Sequence, residues 1–109
     1  MDASRIEQMM DSLLRQQPDA VNAQGCEAIR CLIRPPQRCR IGDLFQIEQP
    51  VEMWVVAAAE NEQPAGGHVI VYDERSQEFG LALIRAAGGP CAFSLIGFYG
   101  TFWDAFFGM

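Results

Sequence analysis

Residues 51–59, Val51-Glu52-Met53-Trp54-Val55-Val56-Ala57-Ala58-Ala59, decide the fold together with His68-Val69-Ile70-Val71-Tyr72, Phe79-Gly80-Leu81-Ala82-Leu83-Ile84 and Cys91-Ala92-Phe93-Ser94-Leu95-Ile96-Gly97-Phe98. Each is short, apolar and rich in β-branched or aromatic residues, the composition that fits a pleated, half-buried surface. Turn chemistry separates them: Asn61–Gly67 with Pro64 and Gly66-Gly67, the charged turn Asp73–Glu78, and Ala87–Pro90 with Gly88-Gly89. A parallel crossover needs a dozen or more residues, so connections of this length predict antiparallel hairpins in a meander. Ile41–Ile47 is expected to add an edge strand, for a sheet of four to five strands.

Outward from the strands, the periodicity becomes helical. Ile6, Met9, Met10, Leu13 and Leu14 recur at i, i+3, i+4, i+7 and i+8, an apolar arc of about 140° on one amphipathic helix. Ser4 and Glu7 have capping-box spacing, Asp11 and Arg15 an i,i+4 pairing distance, and Pro18 stops the helix. A second helix is predicted over residues 26–33, ended by Pro35-Pro36 because proline removes an amide donor and biases its predecessor to extended backbone. At the other end, Thr101 and Asp104 sit at capping positions, and Phe102, Trp103, Phe106 and Phe107 form an aromatic stripe. The order of elements implies one α+β domain over 1–109, an antiparallel sheet packed against an N-terminal amphipathic helix and a short aromatic C-terminal helix.

The 109 residues are 50% apolar and 20% charged, which excludes a disordered chain. The formal charge of −6 disfavours nucleic-acid partners. All 8 basic residues are arginine, a bias expected of a GC-rich bacterial genome. Residues 1–49 hold 7 acids and 6 arginines, residues 50–109 hold 7 acids and 2 arginines, so the negative charge lies mostly in the second half. No basic stretch followed by an apolar run opens the chain, which makes the cytoplasm the expected location and reduced thiols the expected state. From Cys91 to Met109 the only charge is Asp104, but the internal glycines and the absence of basic flanks favour a strand and short helix over a membrane span.

Candidate chemistry is sparse. The four cysteines, Cys26, Cys31, Cys39 and Cys91, lack the paired C-x2-C spacing of zinc sites, and buried thiols acting as small hydrophobes are expected instead. Cys91, His68 and Asp73 supply the residue types of a nucleophile, base and orienter, with no local sign of activation. The acids around Asp73, Glu74 and Glu78 lack the spacing of a calcium loop, and the glycine pairs lack a phosphate-loop framework. No cofactor is expected.

Two features remain. Arg30-Cys31-Leu32-Ile33-Arg34-Pro35-Pro36-Gln37-Arg38-Cys39-Arg40 carries 4 of the 8 arginines in 11 residues with no acid. Its guanidinium forks suit carboxylates or phosphates of a partner, or acids of the protein itself. Phe98–Met109 holds 6 of the chain's 11 aromatics in 12 residues, which suits a core plug or an interface. The expected function is a small acidic, non-enzymatic protein-interaction module of inhibitor, chaperone or scaffold type. Another protein would contact Arg30, Arg34, Arg38, Arg40, Trp103 and Phe107, and a homodimer is a further way to bury apolar surface. The alternative is a small enzyme or ligand- or metal-binding protein using His68, Cys91 and nearby acids. In size, acidity and lack of motifs the chain is similar to bacterial immunity proteins and secretion chaperones, a likeness of class that carries no residue over.

Overall fold

The computed structural model describes residues 2–23, 25–43, 50–58, 67–84 and 93–109. Helix α1 (Ala3–Gln16) buries Ile6, Met10 and Leu14, the centre of the expected apolar arc. Its cap lies two residues earlier than the expected Ser4: the Asp2 carboxylate accepts from the Arg5 backbone N–H at 3.0 Å, satisfying one of the orphan amides of the first turn. Past Pro18 the chain makes a tight turn. Gly25 holds φ at +80° there, a left-handed conformation that favours glycine. The predicted second helix shrinks to α2 (Ala28–Cys31), and Leu32 already belongs to strand β1 (Leu32–Asp43).

Pro35-Pro36 therefore does not end a helix; it lies inside β1. Proline cannot donate to a ladder, and the prolines fall where the ladder is interrupted, the pairing of β1 with β2 (Val51–Ala58) shifting register between Leu32 and Gln37. Of the expected edge strand Ile41–Ile47, residues 41–43 are the end of β1 and 44–47 lie outside the described residues. The remaining strands, β3 (His68–Asp73), β4 (Glu78–Ile84) and β5 (Phe93–Gly100), fall within two residues of their sequence-read limits. The turn Glu74–Gln77 joins β3 to β4. Of the loop read at Asn61–Gly67, residues 61–66 lie outside the described residues, as do the turn read at Ala87–Pro90 and the start of the fourth predicted strand at Cys91-Ala92.

The fold is α+β, a five-stranded antiparallel meander with an N-terminal helix and a short C-terminal helix, α3 (Phe102–Gly108). It goes one step beyond the antiparallel sheet read from the sequence. The parallel pairs Ile41–Phe93, Gly42–Ser94 and Asp43–Leu95 join β1 to β5 and close the sheet into a barrel. Closure gives each strand a face towards the axis and a face towards the helices. Ile41, Met53, Val55, Val69, Val71 and Ala82 pack together on the inner face. On the outer face Trp54, Val56, Ile70, Tyr72, Phe79 and Leu81 pack with Ile6, Met10 and Leu14 of α1 and with Phe102, Ala105 and Phe106 of α3.

Gly80 illustrates how tightly the interior is filled. A Cβ there would stand 2.7 Å from the Gly97 carbonyl oxygen and 3.2 Å from the Phe98 ring, so only glycine lets β5 lie this close to β4.

Candidate functional site

The aromatic stripe of α3 divides between core and surface. The Thr101 hydroxyl accepts from the Asp104 backbone N–H at 3.1 Å and caps the helix, as its position in the sequence suggests. Phe102 and Phe106 then point into the outer core and are fully buried, stacked at 5.9 Å. Trp103 is half-buried and stacks at 6.1 Å on Phe107, which is 45% exposed. The indole N–H of Trp103 is shielded from solvent without a hydrogen-bond partner, an arrangement that costs about 1–3 kcal/mol.

The last residues of β5 stand beside this helix. Tyr99, 37% exposed, lies against Gly108, where an added Cβ would meet the tyrosine ring at 3.0 Å. Ile96 is also exposed, three residues earlier on β5. The far end of α3 is also held by Asn22, a buried residue that sequence reasoning missed. Its Nδ2 donates to the Phe106 carbonyl at 3.2 Å, while its Oδ1 accepts from the Cys26 N–H at 3.0 Å. Asparagine within a glycine-containing turn was its only signal. These contacts hold α3, with Trp103 and Phe107, beside Tyr99.

The arginine segment is largely engaged within the chain. Arg34 pairs with Asp11 at 2.7 Å and approaches Glu7 at 3.8 Å, both on α1. Asp11, read in the sequence as a partner of Arg15, thus serves to fasten β1 to α1. Arg38 pairs with Glu52 on β2 at 3.0 Å and lies over the Trp54 ring at 5.8 Å. Arg30 pairs with Glu27 at 3.1 Å. Arg40 is exposed and has no ion pair among the described residues. The segment is also less open than its charge suggests, since Pro36 is buried.

Beside Arg38 lies an open basin of about 290 Å³ lined by Pro50, Val51, Glu52, Asp73, Glu74 and Arg75. The Trp54 indole N–H donates to the Glu74 carboxylate. That hydrogen bond, more than the Arg38 charge, holds Glu74 below the usual carboxylate range. Burial pushes the Tyr72 hydroxyl up, with Glu74 and Asp73 adding to the effect. Asp73 is turned to structural work: its carboxylate accepts from the Arg75 N–H at 3.0 Å and the Ser76 hydroxyl at 3.2 Å, securing the turn in which Gln77 holds φ at 58°.

Of the residues of the enzyme-type constellation, the structure does not bring His68 and Asp73 together. His68 opens β3 and Asp73 closes it, roughly 16 Å apart at 3.3 Å per residue. Cys91 lies outside the described residues. Cys26, Cys31 and Cys39 are free thiols; Cys31 Sγ donates to the Ala28 carbonyl at 3.3 Å, and burial pushes the Cys39 thiol up, away from thiolate chemistry. Among the described residues no three His, Cys, Asp or Glu side chains gather as metal ligands, and no helix is long and apolar enough to cross a membrane. No protein-family model, curated protein or solved structure matches this chain.

Proposed function

We propose that this chain is a small acidic, non-enzymatic protein-interaction module that inhibits, escorts or scaffolds one protein partner. The observation that supports this reading is the aromatic surface formed by Trp103 and Phe107 of α3 with Tyr99 of β5. Phe102 and Phe106 on the same helix already fill the core, so Phe107 is not needed to complete it. Aromatic side chains held rigidly at a surface lose little conformational entropy on binding and dominate interface energetics. Arg30, Arg34 and Arg38 all have acidic partners inside the chain, so in this reading they contribute less than Phe107 and Trp103. Arg40 is the arginine of the segment best placed to add a charged contact.

Affinity capture from the source cell with wild-type protein and with Phe107→Glu tests the proposal. One protein should be retained by wild type, rebind it when both are purified, and lose at least about tenfold in affinity to Phe107→Glu. The melting temperature of the variant should stay within a few degrees of wild type, as for other surface substitutions. A partner bound equally well by Phe107→Glu would remove this surface from the proposal, and failure to find any partner that rebinds would remove the module reading itself.

A further inference from the structure

We propose that the surface around Tyr99 and Phe107 takes an apolar segment of its partner that carries a lysine or arginine, with Asp104 as the carboxylate that receives the cation. The inference rests on the interaction-module reading and names the chemistry of the partner. Asp104 is the only charged residue between Phe93 and Met109. It is exposed and has no ion pair among the described residues. On α3 it precedes Phe107 by three residues and Gly108 by four, the spacings at which helical side chains are neighbours, and Gly108 is where the Tyr99 ring lies. The surface therefore presents a carboxylate with no ion pair among the described residues beside Phe107 and Gly108, against which Tyr99 lies. The chain around it carries −6, a field that favours encounter with a cationic partner.

Two other occupants fit less well. A second copy of this chain would bring like charge to like charge, Asp104 included. The exposed parts of Tyr99, Phe107 and Trp103 together amount to roughly 200 Å², taking an aromatic side chain as about 150–250 Å², whereas a stable protein interface needs about 800 Å² on each side. A patch of this size suits a short segment. A strand added to the edge of β5 is disfavoured by the two register shifts between β4 and β5, which leave Ile96 and Tyr99 without partners on β4. Bulges of this kind twist an edge away from further pairing. Recognition here is by side chains on the face of α3 and the end of β5.

The test is selection of a displayed library of random linear peptides against wild-type protein, Phe107→Glu and Asp104→Arg, with each variant first shown to fold by circular dichroism. Wild type should enrich peptides that combine aromatic or aliphatic residues with lysine or arginine, and a representative peptide should bind more weakly as salt rises. Phe107→Glu should lose that peptide by at least about tenfold. Asp104→Arg should reject it and enrich acidic peptides in its place. Enrichment without a preference for basic residues, or with a preference that Asp104→Arg leaves unchanged, overturns the proposal while leaving the interaction module standing. So does concentration-dependent self-association of wild type that Phe107→Glu abolishes, which would assign the face to a second copy. If no peptide is enriched although a cognate protein is captured through Phe107, a basic linear segment is excluded as the ligand. If Asp104→Arg fails to fold, Asp104→Asn replaces it and must lose the basic preference.

Discussion

The inner and outer layers of the barrel are built from the same strands by different means. The inner buried cluster holds no aromatic ring, Val55, Val69, Val71 and Ala82 meeting across neighbouring strands beside Ile41 and Met53. The outer face is aromatic, and its chain of ring contacts runs from Tyr72 through Phe79 and Phe102 to Trp103 and Phe106. A narrow barrel holds few side chains inside, so most of the apolar bulk lies outside, under helices. The difference shows that α1 and α3 are not decorations on a self-sufficient barrel. They cover the larger of two cores.

The comparison makes its largest prediction at Phe106, which is fully buried between α3 and the sheet. Phe106→Ala should cost about 3–5 kcal/mol, against about 2 kcal/mol for Val71→Ala, which removes two methyl groups from the inner face. Denaturant unfolding of both variants checks the ordering, and equal losses would mean that the layers carry equal weight. A smaller effect is expected at Asn22, whose amide joins the 21–27 turn to the end of α3. Asn22→Ala leaves the Phe106 carbonyl and the Cys26 N–H without that partner and should cost about 1–3 kcal/mol, with faster amide exchange in α3 than in β3. Uniform acceleration across both elements would show that the outer layer does not open separately.

The smallest effect concerns the edge of the outer layer, where Trp54 donates to Glu74. Trp54→Phe removes the donor, so the Glu74 carboxyl should titrate at higher pH than in wild type, nearer its ordinary value. A lowered folded-state pKa stabilises above the unfolded carboxylate pKa, and that contribution is lost as pH falls through the lowered value. The part of the stability gap between wild type and Trp54→Phe that comes from this hydrogen bond should therefore be present at pH 7 and shrink once pH falls below the ordinary glutamate value of about 4.3. A carbon-detected NMR titration of Glu74 and melting curves on either side of that value check it. An unshifted Glu74 titration would assign the lowered pKa to its other neighbours.

Most strand positions were legible because alternation and turn chemistry are local, as at Val51–Ala58 and at the turn after Asp73. Helix α1 was legible for the same reason, through the spacing of Ile6, Met10 and Leu14. Pro35-Pro36 misled because a double proline signals a break without saying whether a helix or a ladder is broken; here it is a ladder. Closure of the barrel was not legible at all. Three parallel pairs between residues as distant as Ile41 and Phe93 leave no mark on either stretch of sequence. At the candidate site, the aromatic stripe of α3 could be found by composition, but its division into buried Phe102 and Phe106 and exposed Phe107 depends on which side of the helix meets the sheet. The arginine segment showed the converse: its charge was visible, while the acids that engage it, Glu7, Asp11 and Glu52, come from other elements.

Asn22 and Phe106, hydrogen-bonded to each other, are separated by 84 positions in the chain. A contact between such distant residues is reached only after a long loop has been closed against its entropy, and folding slows as contacts of this kind come to dominate. The hairpins β2–β3 and β3–β4 need far shorter loops, so they are the natural early structure, with the β1–β5 seam and the seating of α3 following. Until the helices dock, the outer faces of Trp54, Ile70 and Phe79, which they cover in the native fold, would be open to solvent. Contact separation thus predicts that the seating of α3 comes late and shortens the exposure of this apolar surface to aggregation when it occurs.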